Sequence, residues 1–221
     1  MDDLRAHIEH TLLAPIATAS DVRRAAEAAV AADLKGLCVA PPWVSEARRV
    51  VTGTTVTLVT VAGFPTGAHG SEVKAFEAAR AVEEGALEVD MVADLSAIAD
   101  RAWARLARDV AMVARAIRPH PLKVILETAR FDAGRTVSAA RAAVDGGAAF
   151  VKTSTGFDPA GGATIDAVAR LRRAVGPSFG VKASGGIRTA EQARAMIAAG
   201  ATRIGTSRGP ALLGGTSRTP E

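Results

Sequence analysis

Seven short apolar, β-like runs alternate with alanine-rich helical stretches along this 221-residue chain, and that alternation limits the folds open to it. The runs are 36–40, 56–62, 87–92, 122–127, 148–153, 179–183 and 202–206. Helix-period segments lie between them, near 20–32, 71–84, 96–117, 136–145, 164–175 and 189–199. Polar starts such as Ser20-Asp21, Ser71 and Thr189 open several of these segments, and Gly85, Gly146 and Gly200 stand near helix ends. A short eighth run, Glu9-His10-Thr11-Leu12, comes first. A strand that is followed by a helix returns to the sheet parallel to its predecessor, with the helix on the outside. Eight such units in a chain of this length predict one (β/α)8 TIM barrel over 1–221, with a flexible tail from about 209. An open doubly wound sheet is the alternative. It calls for a G-x-G-x-x-G turn or a Walker motif after an early strand, and the sequence has neither.

Side chains alternate between the two faces of a strand, so a barrel sorts each run into lumen and mantle residues. Parity puts Lys152 and Lys182 inward and sends Val151, Thr153, Val181 and Ala183 toward the helices. It puts Glu88 and Asp90 on one inner face, and Lys123 with Glu127 on another. So many charges in a barrel interior are costly unless they are paired or used.

Only five of the 27 basic residues are lysine, and three of these (Lys123, Lys152 and Lys182) lie inside apolar runs. Arginine keeps its proton in a protein, whereas a buried lysine can lose it and become an amine nucleophile. Val151-Lys152-Thr153-Ser154-Thr155-Gly156 and Val181-Lys182-Ala183-Ser184-Gly185-Gly186 both read V-K-x-S-x-G, thirty residues apart. The repeat points to two equivalent strands whose lysines share a cavity. Two ammonium groups about 6 Å apart, at an effective dielectric near 20, repel by roughly 2.8 kcal/mol. Burial works in the same direction, so one amine is favoured to be neutral and able to form a Schiff base with a carbonyl. The competing reading pairs both lysines with inner carboxylates such as Asp90 and Glu127. Lys123, at the start of its strand, reads as a structural partner of Glu88 or Glu127. Asp90, near the end of its strand, reads as a proton shuttle or a counter-ion.

Ser184-Gly185-Gly186-Ile187-Arg188 and Gly205-Thr206-Ser207-Arg208-Gly209 fall after the last two strands, where barrels commonly bind phosphate through backbone N–H groups. Gly156 closes the preceding strand. Candidate ligand-binding residues are therefore Gly156, Gly185, Gly186, Ser207 and Arg208, joined by Thr153. Glu9 and Thr11 are placed at the rim of the first strand, where they could hold substrate or water. Histidines at 7, 10, 69 and 120 lack metal-ligand spacing, no metal or cofactor is expected, and Cys38 reads as a small core residue. A net charge of +4 with scattered arginines, few aromatics and no tyrosine argues against nucleic-acid binding. No stretch is apolar enough to span a membrane, the acidic start lacks the features of a signal peptide, and a cytosolic location is expected.

These segments resemble the deoxyribose-phosphate aldolases. The likeness runs through Ile8-Glu9-His10-Thr11-Leu12-Leu13, Gly63-Phe64-Pro65-Thr66-Gly67, Glu88-Val89-Asp90-Met91-Val92, Lys123-Val124-Ile125-Leu126-Glu127-Thr128, Phe150-Val151-Lys152-Thr153-Ser154-Thr155-Gly156-Phe157, Val181 to Arg188 and Arg203-Ile204-Gly205-Thr206-Ser207. It implies a metal-free class I aldolase that reversibly cleaves 2-deoxy-D-ribose 5-phosphate to glyceraldehyde 3-phosphate and acetaldehyde. It implies Lys152 as Schiff-base former, Lys182 as its activating neighbour and Asp90 as the proton-transfer residue. Small phosphorylated sugars and acetaldehyde are then the partners, and a homo-oligomer, a dimer first, is expected. The chain departs from the family's usual pattern at Glu9 (Asp), Ala14 (Lys), Ala40 (Asn) and Arg208 (Ser). A phosphate-binding isomerase and a catalytically silent binding barrel are the rival readings.

Overall fold

A computed structural model describes residues 4–214. Eight parallel strands close on themselves in sequence order: β1 (Ile8–Leu12), β2 (Gly36–Val39), β3 (Thr57–Ala62), β4 (Glu88–Val92), β5 (Leu122–Ile125), β6 (Phe150–Lys152), β7 (Gly180–Ser184) and β8 (Arg203–Thr206), with β8 pairing back to β1. The helices that return the chain are α1 (Ala19–Ala31), α2 (Val44–Val51), α3 (Ser71–Glu84), α4 (Leu95–Ala99), α5 (Trp103–Ala116), α6 (Ala133–Asp145), α7 (Ile165–Val175) and α8 (Ala190–Ala198). The barrel expected from the alternation is the observed fold.

Local sequence explains the helix starts. Thr18 caps α1 and Thr189 caps α8, each in a reciprocal capping box with the residue three positions on, Asp21 and Gln192. Two helical segments differ from the sequence reading. The stretch expected as one helix over 96–117 is broken into α4 and α5, because Arg101 takes a left-handed φ of 56° between them. Helix α2 has no counterpart in that reading. It is only eight residues long, follows a Pro41–Trp43 3-10 turn, and buries Val44, Ala47 and Val51 on one narrow face. Pro210–Leu213 forms a 3-10 turn with Leu212 buried, so the stretch from Gly209 is packed down as far as it is described. The rest of the expected flexible tail, 215–221, lies outside the described residues.

The core divides into two zones. Outward strand residues such as Leu37, Leu58, Val89, Met91, Val124, Val151, Val181 and Ile204 join the inner faces of the helices in one apolar mantle. A small separate cluster, Cys38, Val59 and Val61 with Leu13 and Phe64 against it, lies inside the barrel on the β2–β3 side. The remainder of the lumen is ionic. Residues paired across parallel strands face the same way, and the register pairs Lys152 with Lys182, Asp90 with Lys123, and Lys182 with Arg203. Three inward glycines leave room for these large side chains. A Cβ on Gly205 would stand 3.1 Å from Lys182 Cε, one on Gly36 3.3 Å from Glu9 Cγ, and one on Gly180 2.1 Å from the Phe150 ring.

Candidate active site

Asp90 is the hub of the lumen. Its Oδ2 accepts hydrogen bonds from Lys152 Nζ and Lys182 Nζ, each at 2.7 Å, and its Oδ1 accepts from Lys123 Nζ at 2.9 Å. The Lys152 and Lys182 nitrogens are therefore no farther apart than twice 2.7 Å. All four residues are almost wholly buried. Lys182 also donates a short hydrogen bond to Glu9 Oε2. Lys123 lies 2.6 Å from Glu88 Oε2 and 3.6 Å from Glu9 Oε1. Arg203 Nε lies 3.3 Å from Glu9 Oε1, and its Nη2 lies 3.6 Å from Glu88 Oε1.

This web treats its members differently. Burial works to raise the Asp90 carboxyl, but the three ammonium groups overrule it and hold Asp90 well below the usual carboxylate range. Burial likewise opposes the charge on Glu9, and Lys123 and Lys182 overcome it, so Glu9 is also lowered. Lys182 is raised far above an ordinary lysine, because Asp90 and Glu9 together outweigh its burial. Lys123 is raised for the same reason, with Asp90 and Glu9 as the leading attractions. Lys152 goes the other way. Burial lowers it, Asp90 alone does not restore it, and the neighbouring Lys182 charge pushes it lower. The lumen therefore holds one amine that gives up its proton more easily than an ordinary lysine beside one that keeps it more firmly.

A family model described as DeoC/LacD family aldolase matches residues 4–213. The chain belongs to the DeoC/LacD family of aldolases. Proteins named deoxyribose-phosphate aldolase are 49% identical to it in Mycobacterium avium, over 216 residues, and 48% identical in Micrococcus luteus, over 220 residues, with 96% of each chain covered in both cases. Among solved structures, the tetrameric deoxyribose phosphate aldolase of Aeropyrum pernix superposes with a TM-score of 0.88 at 33% identity, covering 96% of this chain and 89% of that one.

Against this family background, the lysine pair and Asp90 come together as the strand parity requires. Other candidates are placed differently. Glu9 is not at the rim: it is the second residue of β1, 1% exposed, and is sealed in the lumen as the second carboxylate of Lys182. Thr11, one inward position higher on β1, is half-buried and donates to the Glu9 carbonyl at 3.2 Å. The Thr153 hydroxyl faces away from the lysines. It donates to the Ser184 carbonyl at 3.2 Å and accepts from the Ser184 N–H at 3.1 Å, tying β6 to β7. Glu127 does not reach Lys123. It takes a left-handed conformation, φ 48° and ψ 58°, and its Oε1 accepts from Thr155 N at 2.6 Å.

The glycine loops do meet. Gly156, Gly185 and Gly186 all have positive φ, and a Cβ on Gly185 would stand 3.4 Å from Gly156 Cα. Ser207 and Arg208 are exposed just beyond β8, where the Arg208 N–H donates to Thr206 Oγ1 at 3.1 Å. Two further features escaped sequence reasoning. Cys38 faces the lumen, not the mantle, and burial pushes its thiol up to about 11. Arg203 enters the charged web from β8, and its signal was a lone arginine with the same parity as Gly205 in an apolar run. Among the described residues no helix is long and apolar enough to cross a membrane.

Proposed function

We propose that the chain is a class I deoxyribose-phosphate aldolase with Lys152 as its Schiff-base lysine. The observation that supports this reading is the asymmetry of the two lysines on one Asp90 oxygen: Lys152 is lowered and Lys182 raised, which favours Lys152 as the nucleophile and Lys182 as the retained cation. Neutral Lys152 attacks the C1 aldehyde of 2-deoxy-D-ribose 5-phosphate, and loss of water from the carbinolamine leaves an iminium. Asp90, through water, takes the C3 hydroxyl proton. The C2–C3 bond then breaks, its electron pair flows toward the iminium nitrogen, and glyceraldehyde 3-phosphate leaves. Protonation of the enamine carbon and hydrolysis of the iminium release acetaldehyde and restore the amine. The Lys182 ammonium keeps the hydrolysed amine from being reprotonated and supplies a proton when the carbinolamine loses water.

Backbone N–H groups of the Gly156 and Gly185-Gly186 loops, with Ser207 and Arg208 beside them, form the phosphate end of the site. Binding there, remote from C2 and C3, orients the aldehyde for the reverse condensation. A cytosolic location and a homo-oligomer, a dimer first, belong to the same reading, as does a small phosphorylated sugar as the partner. The test is borohydride reduction in the presence of acetaldehyde. An ethyl group on Lys152, absent in Lys152→Ala, is expected. An isomerase or a silent binding barrel gives no adduct.

A further inference from the structure

Below the lysine pair, at the N-terminal end of the strands, the lumen closes in a second layer of charge. Glu88 opens β4 and Arg203 opens β8. Their side chains are 11% and 16% exposed, whereas Asp90 and Lys182 above them are sealed. Lys123 and Arg203 both lie over the Phe150 ring, at 5.8 and 5.4 Å from its centroid, which fixes the height of this floor two residues below Lys152 on β6.

Within the ion-paired web, four cations (Lys123, Lys152, Lys182 and Arg203) meet three carboxylates (Glu9, Glu88 and Asp90). One positive charge is surplus in a closed, low-dielectric space. Arg203 cannot shed it, because a guanidinium keeps its proton. Lys182 is held by two carboxylates and Lys123 lies within ion-pair distance of three, while Lys152 has only Asp90. The other groups that face Lys152 do not remove the surplus. Cys38 from β2 is a neutral thiol at ordinary pH. Glu127, beyond β5, makes no ion pair with the web: its Oε1 accepts from Thr155 N, and burial raises its carboxyl above the usual value although Lys152 draws it down.

We infer that Arg203 and Glu88 are positioning residues of opposite sign, which set from the barrel floor how readily Lys152 gives up its proton without touching substrate. The inference rests on Lys152 being the Schiff-base lysine. It makes a demand that a purely structural floor does not make. Removing the cation and removing the anion must move Lys152 in opposite directions. At an effective dielectric near 20, a unit charge about 10 Å away is worth about one pH unit.

The experiment follows the rate of Lys152 ethylation by acetaldehyde and cyanoborohydride against pH, with the adduct located by peptide mass spectrometry. Arg203→Met is expected to move the midpoint up by about one unit, roughly a tenfold slower reaction at any pH below it. Glu88→Gln is expected to move it down by about the same amount, and Arg203→Lys to leave it in place. Midpoints that stay put, or that shift the same way in Arg203→Met and Glu88→Gln, overturn the inference. If Arg203→Met does not fold, a Glu88→Gln midpoint that fails to fall still overturns it. Absence of any adduct on Lys152 in the unaltered protein defeats the Schiff-base reading itself, so the two failures are distinct.

Discussion

Strands β6 and β7 carry the same V-K-x-S-x-G signature, pair their lysines in register and bond one oxygen of Asp90 at one distance, yet their lysines are shifted in opposite directions. The difference comes from the neighbours. On the far side of β7, β8 presents Gly205, whose missing side chain leaves space for Lys182, and β1 beyond it presents Glu9. On the far side of β6, β5 sets apolar Ile125 in register with Lys152. One lysine thus gains a second carboxylate and the other a dry wall. A repeated motif fixes where two groups stand, and the strands that flank it decide their chemistry.

Removing the shared anion breaks the comparison most severely. Asp90→Asn leaves the buried ammonium groups without their common partner and is expected to cost about 3–5 kcal/mol, measured by urea denaturation, along with activity. The pH dependence of stability has a definite sign. Asp90 is lowered in the folded state, so its contribution is full above the unfolded carboxyl value near 3.9 and is lost as pH falls through the folded value. The unaltered protein is expected to lose stability below about pH 4, and the Asn variant to lack that share of the acid step. Equal stability of the two proteins at neutral pH would contradict the hub role.

Next in size is Lys182→Met, which removes a neighbouring charge that lowers Lys152. A charge within about 5 Å at an effective dielectric near 20 is worth roughly two pH units. The acidic limb of kcat/KM is expected to rise by about that much, with turnover at neutral pH falling on the order of 100-fold and recovering in part at high pH. A pH profile that keeps its acidic limb would show that the β7 lysine does not act on the β6 lysine.

The alternation of runs and helices gave the barrel, and period-two parity gave the faces: Lys152, Lys182 and Asp90 turn inward as the pattern requires. Height was not legible. A closed barrel is staggered, so a residue's level in the lumen depends on tilt and shear, which a single strand's pattern does not carry. Glu9 therefore looked like a rim residue and is sealed against Lys182 inside the lumen. Arg203 was hidden for the same reason, since its web partners Glu9 and Glu88 stand on other strands. Glu127 followed parity on paper, but the strand ends at Ile125 and a left-handed turn redirects the side chain. Helix α2 was too short for its period to stand out.

Thr153 gives the smallest and sharpest test, because it lies between the two lysine strands and admits two roles. As a ligand group its hydroxyl would bind the phosphorylated substrate. As observed, that hydroxyl is fully buried and spends both its donor and its acceptor capacity on the backbone of Ser184, two residues beyond Lys182. The tie holds the ends of β6 and β7 level, and with them the shared grip on Asp90. Thr153→Val preserves shape and deletes only the hydroxyl. It is expected to cost about 1–2 kcal/mol in thermal or urea unfolding, because the Ser184 N–H loses a buried acceptor, while KM for 2-deoxy-D-ribose 5-phosphate changes less than about twofold. A KM raised tenfold at unchanged stability would return Thr153 to the substrate and leave the levelling of the two lysines to the strand ladder alone.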